Sequence, residues 1–103
     1  MTWKSLLKHA GIRKRPDILK LDVEGYEYSA VPALLAAPET TQPLQILMEL
    51  HGDDLLKGSQ VKTAGEMLEF VRGIYDKGYR FTYIDKETQC KHCKEVVAAK
   101  VFC

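Results

Sequence analysis

An α/β fold is what these 103 residues predict: a mostly parallel sheet of about four strands, the last one antiparallel, with helices on both faces. Three observations carry that expectation. Short apolar segments with strand character alternate with segments of helical periodicity, which calls for parallel strands joined by right-handed crossovers. Two of the strands end alike, in Asp22-Val23-Glu24-Gly25 and in Glu49-Leu50-His51-Gly52. The last link, residues 85–95, has no amphipathic helical pattern, so a hairpin should reverse the final strand.

The elements follow in order. Residues 2–10 place Trp3, Leu6, Leu7 and Ala10 at helical spacing, and Gly11 is a natural stop. Residues 17–23 read as a strand whose nearly continuous apolar character fits burial on both faces. In Ser29 to Ala36 the proline at 32 leaves two choices: Ser29 caps the helix and Pro32 sits in its first turn, or the helix starts earlier and bends. Residues 38–43 are polar and turn-rich. Leu44 to Leu50 is a second strand. Thr63-Ala64-Gly65-Glu66 forms a capping box for a helix whose apolar stripe is Met67, Phe70, Val71, Ile74 and Tyr75, closed by Lys77-Gly78. Tyr79 to Ile84 alternates and is aromatic-rich, a third strand, and Val96 to Phe102 is a fourth.

Composition narrows the function. With 46% hydrophobic and 28% charged residues the chain is globular, not a disordered tail, and its length holds one domain, residues 1–103. A net charge of +1 gives no broad footprint for nucleic acid. The short basic cluster from Lys8 to Lys20, with Arg13, Lys14 and Arg15, reads as a solvated loop. No apolar run approaches a membrane span or a secretory signal, so a cytoplasmic location is the default expectation. Three cysteines, Cys90, Cys93 and Cys103, do not make a disulfide framework. Cys90-Lys91-His92-Cys93 is a weak candidate metal site. The alternative is a hairpin-tip pair that is free or locally bridged, and the expected metal complement is none.

Ligands of open α/β sheets bind beyond the carboxyl ends of the strands. Asp22 and Glu24 from the first strand, and Glu49 and His51 from the second, are therefore the candidate catalytic residues. Alternation puts each pair on one side of its strand, where the four could serve as general base, metal ligands or partners of a cofactor's polar head.

These residues also resemble a known family. Lys20-Leu21-Asp22-Val23-Glu24-Gly25-Tyr26-Glu27 is similar to the K-x-D-x-E-G-x-E segment of FkbM-type methyltransferases. Ile46 to His51 resembles the family's next strand, which ends in Glu and His, and Gly78-Tyr79-Arg80-Phe81 its later one. Glu87, Cys90, Cys93 and Glu95 resemble a Glu…Cys-x-x-Cys-x-Glu hairpin of eukaryotic relatives. The resemblance implies a Rossmann-like class I methyltransferase sheet of seven strands, of which these would be the fourth to seventh. It implies S-adenosylmethionine as cofactor and a small-molecule, glycan or peptide methyl acceptor. Asp22 would lie at the face shared by cofactor and acceptor, with Glu24 and Glu49 in the same cleft.

One feature departs from the family pattern. Such folds hold the cofactor on a Gly-rich turn after their first strand, and here every glycine is isolated, at 11, 25, 52, 58, 65, 73 and 78. The expectation is the C-terminal half of a methyltransferase domain, inactive alone and without tight cofactor binding. Two other classes stay open. One is a metal-dependent hydrolase using Asp22, Glu24, Glu49 and His51. The other is an interaction module that pairs with a partner through an exposed sheet edge.

Overall fold

The computed structural model describes residues 2–21, 26–51, 64–85 and 93–101; at 51, 64, 85, 93 and 94 it gives the backbone. The described chain forms α1 (Trp3–His9), β1 (Ile18–Leu21), α2 (Glu27–Leu35), a 3-10 turn (Glu39–Thr41), β2 (Gln45–His51), α3 (Ala64–Asp76), β3 (Tyr79–Asp85) and β4 (Cys93–Lys100). The strands make one sheet in the order β1-β2-β4-β3. β1 and β2 are parallel, and β4 runs antiparallel to both β2 and β3. The reversed last strand expected from the 85–95 link is present, inserted between β2 and β3.

Local chemistry explains the helix ends. Thr2 and Ser5 cap α1 reciprocally: the Ser5 N–H donates to Thr2 Oγ1 (3.1 Å) and the Thr2 N–H to Ser5 Oγ (2.9 Å). At its other end Gly11, at φ 73°, takes the left-handed conformation that lets its own N–H reach the Lys8 carbonyl and the Ile12 N–H reach Leu7. Gly78, at φ 92°, ends α3 in the same way, donating to the Tyr75 carbonyl. α2 begins at Glu27 and not after Ser29, so Pro32 lies inside the helix. The helix starts earlier than Ser29, and the Tyr28 carbonyl loses the donor that residue 32 would have supplied. The proposed cap residue of α3, Thr63, lies outside the described residues.

Packing divides the sheet into a covered and an open face. Ile46, Met48, Val96, Ala98 and Tyr79 point into a core completed by Val31, Leu34 and Leu35 of α2 and Ile74 of α3, and Trp3 of α1 packs on it too. Tyr28 and Phe70 join α2 to α3 edge-on, their rings 4.8 Å apart. The expected stripe of α3 holds except at Tyr75, which is exposed; one position past Ile74 it has turned off the buried line. The Arg80 guanidinium covers its ring instead, 3.5 Å from the centroid. All three described helices thus gather on one face, and a second helical layer is not among the described residues. Accordingly Ile18 is 58% exposed and β1 alternates, where burial on both faces was expected.

The amino-terminal ends of the parallel strands meet the 38–44 segment. Trp3 Nε1 donates to the Thr41 carbonyl (2.9 Å) and Arg15 to those of Glu39 and Thr40. Gln42 Nε2 closes α2 by donating to the carbonyls of Leu35 and Ala37. The fully buried Tyr79 hydroxyl donates to the Pro43 carbonyl (2.5 Å).

Burial pushes the Tyr79 phenol up to about 12, the Arg15 charge opposing and Glu39 adding; burial, then the Glu27 charge, pushes Tyr28 to about 12. Unfolded tyrosines ionise near pH ~10. The folded state therefore keeps protons that the unfolded chain has lost, and stability present below pH ~10 is lost as pH rises toward about 12. Urea midpoints measured across that window should fall, and the fall should flatten in a Tyr28→Phe, Tyr79→Phe double variant.

Candidate functional site

Because β1, β2 and β3 run the same way and β4 opposes them, the carboxyl ends of the first three and the start of β4 share one edge. On the open face near that edge lies a cavity of about 230 Å³. Lys20 and Leu21 of β1, Leu47 and Glu49 of β2, Tyr83 of β3 and Glu95 and Val97 of β4 line it. Glu49 stands on this face by alternation: Ile46 and Met48 enter the core, so Leu47 and Glu49 point away from it.

Two features of the lining follow from the strand register. Glu49 is directly opposite Glu95 in the antiparallel β2–β4 pair, and Asp85 stands opposite Glu95 on the other side. Three acidic positions thus cross the sheet in one row at the carboxyl edge. Like charges placed opposite one another oppose folding, so the row is held by the rest of the sheet. The second feature is a bulge. Phe81 pairs with Ala98 but Tyr83 pairs with Val97, so Thr82 is the extra residue. Without it Tyr83 would follow Tyr79 and Phe81 into the core. With it the Tyr83 ring turns to the open face and walls the cavity.

Of the four candidate catalytic residues, Glu49 lines this cavity and is half-buried. His51 closes β2 opposite Cys93, with its side chain outside the described atoms. Asp22 and Glu24, which follow Leu21 in the sequence, lie outside the described residues. Cys90 and His92 also lie outside, and Cys93 is described by its backbone alone. Among the described residues no group of three or more His, Cys, Asp or Glu side chains is placed to hold a metal. No helix there is long and apolar enough to cross a membrane.

Lys20, Tyr83 and Glu95 were not singled out as site residues. Lys20 was within reach of the sequence, since it alternates with the apolar Leu19 and Leu21. Tyr83 was not, because nothing in Tyr79 to Asp85 marks a bulge. Glu27, last residue of the K-x-D-x-E-G-x-E segment, is also informative: it is 1% exposed in the first turn of α2, where the helix dipole favours negative charge.

The Methyltransferase FkbM domain model matches residues 1–81, and the chain belongs to that family. The match takes in α1 to the first part of β3, with β4 and all three cysteines beyond it. No curated protein and no solved structure matches the chain significantly.

Relief of the acidic row gives a test of the register. Replacing Glu95 by Gln should raise stability at neutral pH by about 0.2–1 kcal/mol in urea unfolding. An unchanged or lower midpoint would show that the Glu95 charge does not repel its neighbours in the row.

Proposed function

We propose that this chain forms the acceptor-side wall of an S-adenosylmethionine-dependent O-methyltransferase site, and that it transfers no methyl group alone. The family match, together with a cavity at the carboxyl edge lined by a carboxylate from β2, supports this reading. In open α/β sheets that edge is where ligands sit.

The residues present fit one part of such a site and not another. An acceptor hydroxyl must lose its proton as its oxygen takes up a methyl group, and a carboxylate within hydrogen-bond reach can receive it. Glu49 in the cavity lining is our candidate for that role, with Asp22 and Glu24 of the family segment as further candidates. Lys20 in the lining offers an ammonium to a polar acceptor. Leu47, Val97 and Tyr83 supply an apolar wall that excludes water from one side. When bound, S-adenosylmethionine supplies the electrophilic methyl group. Its cradle is another matter: the isolated glycines form no Gly-rich turn. The cavity of about 230 Å³ is also below the roughly 300–1,000 Å³ of ordinary ligand sites. The acceptor class is a hydroxyl-bearing small molecule, glycan or peptide.

Isothermal titration of the 103-residue chain with S-adenosylmethionine should show no saturable micromolar binding; such binding would refute the incomplete-site reading. The transcript upstream of Met1 should encode a strand followed by a Gly-rich turn. On the polypeptide that carries both, Glu49→Gln should lower the rate of labelled-methyl transfer about 10²-fold or more with cofactor affinity unchanged. An undiminished rate would remove Glu49 from the chemistry.

A further inference from the structure

The opposite end of β1 carries a second, larger cavity of about 870 Å³. It lies between the end of α1, the 11–15 connection and the 3-10 turn, and Lys4, Lys8, Arg13, Lys14 and Arg15 all line it. No acidic side chain is among its lining residues. The first 16 residues carry those five cations and not one Asp or Glu, whereas the remaining 87 hold ten basic and fourteen acidic residues. A chain of net charge +1 thus gathers its excess of positive over negative charge in its first 16 residues.

The groove is also held in shape. Leu7 is buried, which fixes α1, and the left-handed Gly11 folds the chain back so that Arg13 and Lys14 stand beside Lys4 and Lys8. Arg15 is tied to the carbonyls of Glu39 (2.7 Å) and Thr40 (3.3 Å), which anchors the far end of the connection. Lys4, Lys8, Arg13 and Lys14 make no ion pair among the described residues, so their charges are available to a ligand. Four converging cations with no counter-charge suit a compact anion of high charge.

We propose that this groove binds a multiply charged phosphate group, carried either by a soluble phosphorylated molecule or by a lipid headgroup. It is separate from the carboxyl-edge cavity, because the two lie at opposite ends of β1, and it does not depend on the methyl-transfer reading.

Inorganic tripolyphosphate is the probe. Titration of the 103-residue chain at low ionic strength should give saturable one-to-one binding that weakens as salt is added. Arg13→Ala with Lys14→Ala should weaken it about tenfold or more. Arg72→Ala with Lys77→Ala, which removes the same charge from α3 and the turn after it, should leave it unchanged. Equal weakening in both double variants would reduce the effect to net charge and overturn the proposal, as would binding that does not saturate. Circular dichroism of each variant separates loss of binding from loss of fold. Vesicles containing a phosphoinositide distinguish the sources. Retention that tripolyphosphate competes away assigns the lipid headgroup, and saturable tripolyphosphate binding without retention assigns the soluble molecule.

Discussion

The hydrogen bond from the Tyr79 hydroxyl to the Pro43 carbonyl ties the start of β3 to the segment that leads into β2, two strands that do not touch in the sheet. Around it the other amino-terminal strand ends converge. Leu44 and Gln45 donate to the carbonyls of Pro16 and Asp17 ahead of β1, Lys100 at the end of β4 donates to Leu44, and Val101 to Gly78. The Lys100 ammonium, its side chain 1% exposed, is held by Glu39 at 3.2 Å and by the Tyr79 ring. An ammonium withdrawn from water costs several kcal/mol if unpaired. Here a solvent-facing carboxylate and an aromatic face offset that cost, so the buried charge marks a unique arrangement of this corner more than it strengthens it.

A closed amino edge has a consequence at the other end. With the strand starts fixed together, the positions of Lys20, Glu49, Tyr83 and Glu95 follow from strand length, register and one bulge. The cavity therefore stands on the paired sheet itself, its lining supplied by residues of all four strands. That pairing also rationalises the row of acidic positions on β2, β4 and β3. A sheet free to slip would move Glu95 away from Glu49; this one is pinned by Tyr79, Lys100 and the core residues between them.

Much of this was legible in the sequence, and the reasons differ by element. Helices α1 and α3 announce themselves through period and terminal glycine, and the reversed β4 through the absence of a helical link. The family segment at Lys20 to Glu27 pointed to the carboxyl edge, and Glu49 is there. Three things were hidden. Pro32 was compatible with two helix starts, and what decides between them is that the helix already includes the buried Glu27 and Tyr28, the latter packed on Phe70 of α3. The Thr82 bulge leaves the alternation of β3 looking regular, so Tyr83 was assigned no role. The open face could not be foreseen from Asp17 to Val23, because apolar strands look the same whether one face or both are covered.

The open face and the two cavities can be set against one another by charge. The cavity at the carboxyl edge has Glu49 and Glu95 in its lining against one lysine, and the groove at the amino edge has five cations and no acid. β1 separates them, and the 38–44 segment, to which Arg15 is bonded through the Glu39 and Thr40 carbonyls, helps line the groove. A short strand whose ends carry opposite charge orients an incoming anion toward one end only, and repels it from the acidic row at the other.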